Sequence, residues 1–149
     1  MPEHQLIEEQ LTRSVIGAFY AVYNTLGFGF LEQVYMMALE RELHARGHVV
    51  GREVYVPISY DGTVIARQRI DMIVDGLLII EAKSTHDLHK SAARQVYNYL
   101  RATRLQVGLL LHFGPEPAFY RLVCLNATHE QSQLREPAGS DDIKTLGLK

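Results

Sequence analysis

Leu77-Leu78-Ile79-Ile80 sets four apolar side chains in succession, and no other feature constrains this chain as strongly. Side chains alternate between the two sides of a strand, so a strand with no polar residue at either parity is buried on both faces. It belongs in the middle of a sheet that other layers cover. The preceding sequence says how the sheet is entered. Val54, Val56, Ile58 and Tyr60 alternate up to Asp61-Gly62, and a second extended stretch over about 63–74 ends at Asp75-Gly76. Asp-Gly between extended segments signals a hairpin, because these two residues tolerate the positive φ that tight hairpin turns demand. Two antiparallel turns should therefore lead into a central third strand.

Leu11, Val15, Phe19, Val22 and Leu26 recur at helical spacing and stop at Gly27, a favoured residue just past a helix end. Leu31, Tyr35, Ala38, Leu39 and Leu43 repeat the pattern over about 31–46. Leu88, Ala92, Val96, Tyr99 and Leu100 mark a third helix, followed by an apolar strand over 107–113 and a last strand over about 118–125. The order α-α-β-β-β-α-β-β makes the third helix a crossover, and the fold class is α/β, a mixed sheet flanked by helices. With 149 residues, 47% hydrophobic and 21% charged, the chain holds material for one domain, which we place at 1–125. The polar, weakly periodic stretch at 126–149 reads as a flexible tail.

Several function classes are excluded by composition. A single cysteine, Cys124, supplies neither an internal disulfide nor a thiolate zinc cage, which points to a reducing compartment. The polar N-terminal stretch lacks an export signal, so the expected location is cytoplasmic. The charge-free stretch 14–31 contains Asn24, Thr25, Gly17, Gly27 and Gly29, and its apolar residues form a stripe, so no membrane partner is expected. A formal net charge of -2 gives no overall attraction to phosphate backbones, and any nucleic-acid contact must come from a local patch.

The chemistry-bearing residues lie on strands two and three. If the loop at Asp75-Gly76 has three residues centred on Gly76, Asp71 falls opposite Glu81. Arg69, Asp71 and Ile73 then share a face with Ile79, Glu81 and Lys83, while Ile70, Met72, Val74, Leu78, Ile80 and Ala82 form an apolar face. Two carboxylates at cross-strand distance repel, and a bound cation resolves the conflict. Oxygen-only ligands suit a hard ion such as Mg²⁺, with Mn²⁺ as a second choice, and a substrate phosphate fills remaining positions. Phosphodiester hydrolysis follows, with Lys83 orienting or deprotonating the attacking water. The competing reading makes Glu81 and Lys83 an ordinary strand-end pair.

On the third helix, Leu88, Ala92, Gln95, Val96 and Tyr99 share one face, and Lys90, Arg94, Tyr97 and Arg101 the other. The polar Gln95 therefore points inward, either to satisfy buried backbone or to position Lys83, a water or a phosphate. Glu32, in the first turn of helix two, either favours the helix macrodipole or adds a third carboxylate to the charged end of the sheet.

The string Gly29-Phe30-Leu31-Glu32-Gln33-Val34-Tyr35 resembles the signature of the bacterial GxxExxY proteins, and the likeness continues in Arg69-x-Asp71, Glu81-Ala82-Lys83, Gln95-x-x-x-Tyr99-Leu100 and Phe113-Gly114. His112 stands where similar proteins often carry Asn. That family is placed in the PD-(D/E)xK nuclease superfamily. The resemblance implies a restriction-endonuclease-like fold, with Asp71 and Glu81 as metal ligands, Lys83 catalytic, and Glu32 and Gln95 as supporting site residues.

His44 with His48, and His86 with His89, lack an obvious third ligand and read as structural or surface histidines. Cys124 reads as a small buried hydrophobe. Two functions remain. One is a Mg²⁺-dependent nuclease acting on DNA, or else RNA, with Glu32, Asp71 and Glu81 around the metal. The other is a noncatalytic interaction or oligomerisation module that keeps the nuclease fold. A homodimer, in which two sites address two strands, is the assembly suggested by analogy.

Overall fold

The computed structural model describes residues 7–125, and the stretch at 126–149 lies outside the described residues. The elements follow in the expected order: α1 (Glu9–Leu26), α2 (Glu32–Ala45), β1 (Val50–Tyr60), β2 (Thr63–Val74), β3 (Leu78–Lys83), α3 (Ser91–Thr103), β4 (Val107–Phe113) and β5 (Pro117–Val123). The sheet order is β1-β2-β3-β4-β5, which puts β3 in the centre. Only β3 and β4 run parallel, and α3 is the crossover between them. No helix among the described residues is long and apolar enough to cross a membrane.

Each face of the sheet has its own core. Met72, Val74, Leu78, Ile80, Ala82, Leu109 and Leu111 pack against Val15, Phe19, Tyr35 and Leu39 of α1 and α2. Ile79 and Leu110 pack against Ala92, Val96, Tyr99 and Leu100 of α3, with Cys124 buried among them as expected. Burying a Leu, Ile or Val fully is worth roughly 1.5–3 kcal/mol, so the two-sided strands β3 and β4 anchor the fold. Tyr97, expected on the polar face of α3, instead packs half-buried against this second cluster.

Gly108 sets how closely α3 approaches the sheet. A Cβ there would lie 2.7 Å from Val96 Cγ1 and 3.4 Å from the Ile79 carbonyl oxygen. Gly108→Ala is therefore expected to destabilise the protein by about 1–3 kcal/mol through overpacking. Urea denaturation of the variant checks this; an unchanged midpoint would contradict it.

The two hairpin turns form where Asp-Gly predicts them. Asp61 and Gly62 sit at φ 52° and 77°, Asp75 and Gly76 at 53° and 67°. The second loop pairs Val74 with Leu78, Ile73 with Ile79 and Met72 with Ile80, the register expected from the sequence.

Two expectations need correction. β1 begins at Val50, four residues before the alternating run, and Ile70 joins the α3-side core while Met72 packs under α1 and α2. Both follow from one irregularity. Arg52 pairs with Met72 and Val54 with Ile70, but Glu53 between them is left-handed at φ 53°. Side chains before and after it therefore fall at opposite parity, and the alternation inferred for 69–74 does not survive the break.

Candidate active site

The site forms where the sheet forks. The β2–β3 pairing ends at Met72 and Ile80. Beyond it, β3 stays with β4 as far as the Lys83–His112 pair, whereas β2 leaves with β1 as a long hairpin. Asp71 and Glu81 lie one step past the last pair, on either side of the fork. The strands carry them there because β3 and β4 are held from both faces by apolar packing, while only the first part of the β1–β2 ribbon has a core to join.

Glu81 is only 3% exposed. Its Oε2 accepts from Lys83 Nζ at 3.1 Å, while its Oε1 is buried with no hydrogen-bond partner. Burial, reinforced by the charge of Asp71, pushes the Glu81 carboxyl up to about 7. The Glu32 carboxyl is raised by burial and then by Asp71. Burial alone would lower the Lys83 ammonium, but Glu81 outweighs it and the net shift is upward, so Lys83 stays charged. Arg69 approaches Glu53 Oε1 at 3.6 Å and Asp71 Oδ1 at 3.8 Å, beyond hydrogen-bond range. Buried negative charge thus exceeds the positive charge that meets it, a balance that a bound cation corrects.

A cleft of about 340 Å³ opens beside the fork, with Leu31, Glu32 and Met36 of the α2 side on one wall and Glu53, Arg69 and Asp71 on the other. Local folding explains how Glu32 arrives. Gly27 and Gly29 take φ 71° and 120°, values that glycine adopts without Cβ strain. The Tyr35 hydroxyl donates to the Gly27 carbonyl and accepts from the Phe30 N–H at 3.3 Å. Its ring stacks on Phe113, with centroids 4.3 Å apart. Tyr35 therefore pins the loop that delivers Glu32 one helical turn earlier, and Glu32 opens α2, lines the cleft with Asp71, and is itself pushed up by the Asp71 charge and pulled down by Lys83.

Gln95 points inward as expected, but its amide donates to the Tyr99 hydroxyl at 2.7 Å. Tyr99 in turn feels the Glu81 charge, and burial followed by that charge raises its phenol. Gln95 thus reaches the site through Tyr99. His112 had no assigned role. It is buried, lies beside Lys83 across the parallel pair, and donates from Nε2 to the Thr85 carbonyl at 2.7 Å. That bond fixes its tautomer and anchors the loop leaving Lys83. A Cβ on Gly114 would come within 2.5 Å of the His112 ring, so Gly114 makes the room. The signal was one polar residue in an otherwise apolar strand.

His48 is structural: its Nε2 meets Ser14 Oγ at 2.7 Å and its Nδ1 meets Asp75 at 2.8 Å, tying α1 to the β2–β3 turn. Among the described residues no three His, Cys, Asp or Glu side chains converge into a ready-made metal cage. The donors at the fork suit a hard divalent ion all the same, because the unpartnered Glu81 Oε1 is a buried oxygen lacking a cation or a donor.

A sequence model described as the PD-(D/E)XK nuclease superfamily matches residues 9–122. Comparison with curated proteins gave no match. Among solved structures the chain is similar to the one titled "Crystal structure of SSO0001", at 21% identity and a TM-score of 0.52, over 87% of this chain and 69% of that one. At that identity the likeness speaks for the fold alone. The matched segment spans all eight elements apart from the last residue of β5 and contains the fork with Asp71, Glu81 and Lys83; this chain belongs to the PD-(D/E)XK nuclease superfamily.

Proposed function

We propose that the chain is a divalent-metal-dependent nuclease, with Mg²⁺ or Mn²⁺ as the ion and DNA, or else RNA, as the substrate. The carrying observation is Glu81: a buried carboxylate with one oxygen on Lys83, the other without a partner, across the fork from Asp71. Nucleases of this superfamily typically use divalent metals. Asp71 and Glu81 would hold the ion and Glu32 would support it from the cleft wall. When bound, the ion would supply the positive charge that neutralises a phosphodiester and its developing transition-state charge.

The remaining work belongs to the chain's own groups. Lys83, 3.1 Å from Glu81, would act as a cation and hydrogen-bond donor that orients a water or a phosphate oxygen. Gln95 and Tyr99 form a hydrogen-bonded pair near enough to Glu81 for its charge to raise the Tyr99 phenol, after burial. The resemblance to GxxExxY proteins supports the same reading, since Glu32 of that signature lines the cleft with Asp71 and Tyr35 holds the loop that leads to it.

Calorimetric titration with Mg²⁺ and Mn²⁺ tests this, on wild type and Glu81→Ala, with cleavage of single- and double-stranded DNA followed alongside. Metal binding and cleavage should disappear together in the folded variant. Cleavage that persists in Glu81→Ala would overturn the assignment.

A further inference from the structure

The β1–β2 hairpin continues past the fork with little to pack against, and every residue of β2 from Thr63 to Arg69 is exposed. Its outward face is patterned. Tyr55 lies directly across from Arg69, and Arg67 follows two residues along the same face. Tyr55 is 61% exposed, and Arg67 forms no ion pair with any described residue. Arg69 belongs at once to this face and to the cleft that holds Asp71. The hairpin thus lays Tyr55, Arg67 and Arg69 in a track that ends at the proposed metal site, with Arg69 shared between Glu53 and Asp71.

Next to the opposite wall, which carries Glu32, an exposed apolar group begins at Leu31. Leu31, on the cleft wall, is 80% exposed, Phe28 and Phe30 are both surface residues, and Phe28 meets the ring of His86 in the loop after Lys83. Exposed aromatic and aliphatic groups in such a cluster call for an apolar partner. A duplex offers phosphates and sugars on its outside and hides the faces of its bases in the stack. An unpaired strand offers both, phosphates for arginine and base faces for aromatic rings. The slight net negative charge points the same way, since it adds nothing toward the denser charge of a duplex.

The geometry points to a single-stranded polynucleotide as the substrate, held with its phosphates on Arg67 and Arg69 and its bases against Tyr55 and the Phe28–Leu31 loop. This inference rests on the nuclease reading. Bases would stack on either side of the phosphodiester presented to Asp71, Glu81 and Lys83. The shared chemistry is that of single-stranded DNA and RNA, and the test includes both.

Fluorescence anisotropy in Ca²⁺ buffer, with short labelled oligonucleotides of one sequence as single-stranded DNA, single-stranded RNA and duplex DNA, measures the preference directly. Single strands, of one kind or both, should bind at least about tenfold tighter than duplex, and Tyr55→Ala should weaken that binding about 5- to 100-fold while Tyr55→Phe retains it. Arg67→Ala should lower affinity and flatten the salt dependence by about 0.7 in the log–log slope. Duplex binding as tight as single-strand binding overturns the proposal, as does a Tyr55→Ala curve that superimposes on wild type. Self-association that buries these side chains and blocks single-strand binding overturns it too. Hydrolysis of a small diester such as bis(p-nitrophenyl) phosphate, measured on the same samples, separates the two failures. Metal-dependent turnover there without single-strand preference removes the substrate assignment alone, and loss of both removes the nuclease reading.

Discussion

Glu81→Gln is expected to make the metal-free protein more stable than wild type at pH 8 and to leave it without cleavage activity. The Glu81 carboxyl sits at about 7 in the folded protein, against an ordinary 4.5, because burial and then Asp71 oppose its charge. A raised carboxyl pKa means that folding favours the protonated form. The penalty is absent below the ordinary value, grows as pH rises, and is complete above about 7. At about 1.4 kcal/mol per pKa unit, the full penalty is roughly 3 kcal/mol, a figure that already includes the opposing pull of Lys83. The gain from glutamine is then about 3 kcal/mol at pH 8, shrinking toward zero near pH 4.5. Urea denaturation in EDTA across this range measures it; equal stabilities at every pH, or a weaker variant at pH 8, would show that Glu81 is not held against its charge. Saturating Mg²⁺ should close the gap by stabilising wild type alone, since a ligand that binds only the folded state raises its stability.

Lys83→Ala is the second large effect. Cleavage should fall by about a hundredfold or more, the scale found when one preorganised donor to a developing charge is removed, while the circular dichroism of the folded protein is retained. Lys83 is the cation within hydrogen-bond reach of Glu81. Without it, the Glu81 carboxyl should move further upward, and cleavage that survives should shift its pH profile toward the alkaline side. Lys83→Arg, which keeps charge with altered shape, separates electrostatics from placement. Undiminished cleavage in Lys83→Ala would remove the residue from the mechanism.

Much of this was legible in the sequence because the physics is local. The Asp75-Gly76 turn and the apolar parity of Met72, Val74, Leu78 and Ile80 leave one register that buries all four, and that register brings Asp71 and Glu81 to the point one step past the last pair, where the strands part. The central position of β3 follows from a run apolar at both parities. The reversal of parity at Glu53 was not legible, since a glutamate at positive φ has no compositional sign and is held there by the surrounding pairs. Arg69 accordingly falls on the other side of β2 from the one that unbroken alternation predicts, while staying close to Asp71. The partnership of His112 with Thr85, and of Gln95 with Tyr99, needed the third dimension: each joins elements or side chains whose contact depends on a rotamer.

The fork divides the molecule by the cost of opening it. Amides of β3 and β4 lie under buried side chains on both faces, so their hydrogens should exchange only when the whole domain unfolds. The outer hairpin, with β2 exposed throughout 63–69 and an exposed tip at Asp61-Gly62, should exchange by local opening at far lower free energy. The chain would then grip its substrate with its least protected segment and perform chemistry on its most protected one. An arm that reshapes itself around irregular strands would thus leave the spacing of Asp71, Glu81 and Lys83 undisturbed.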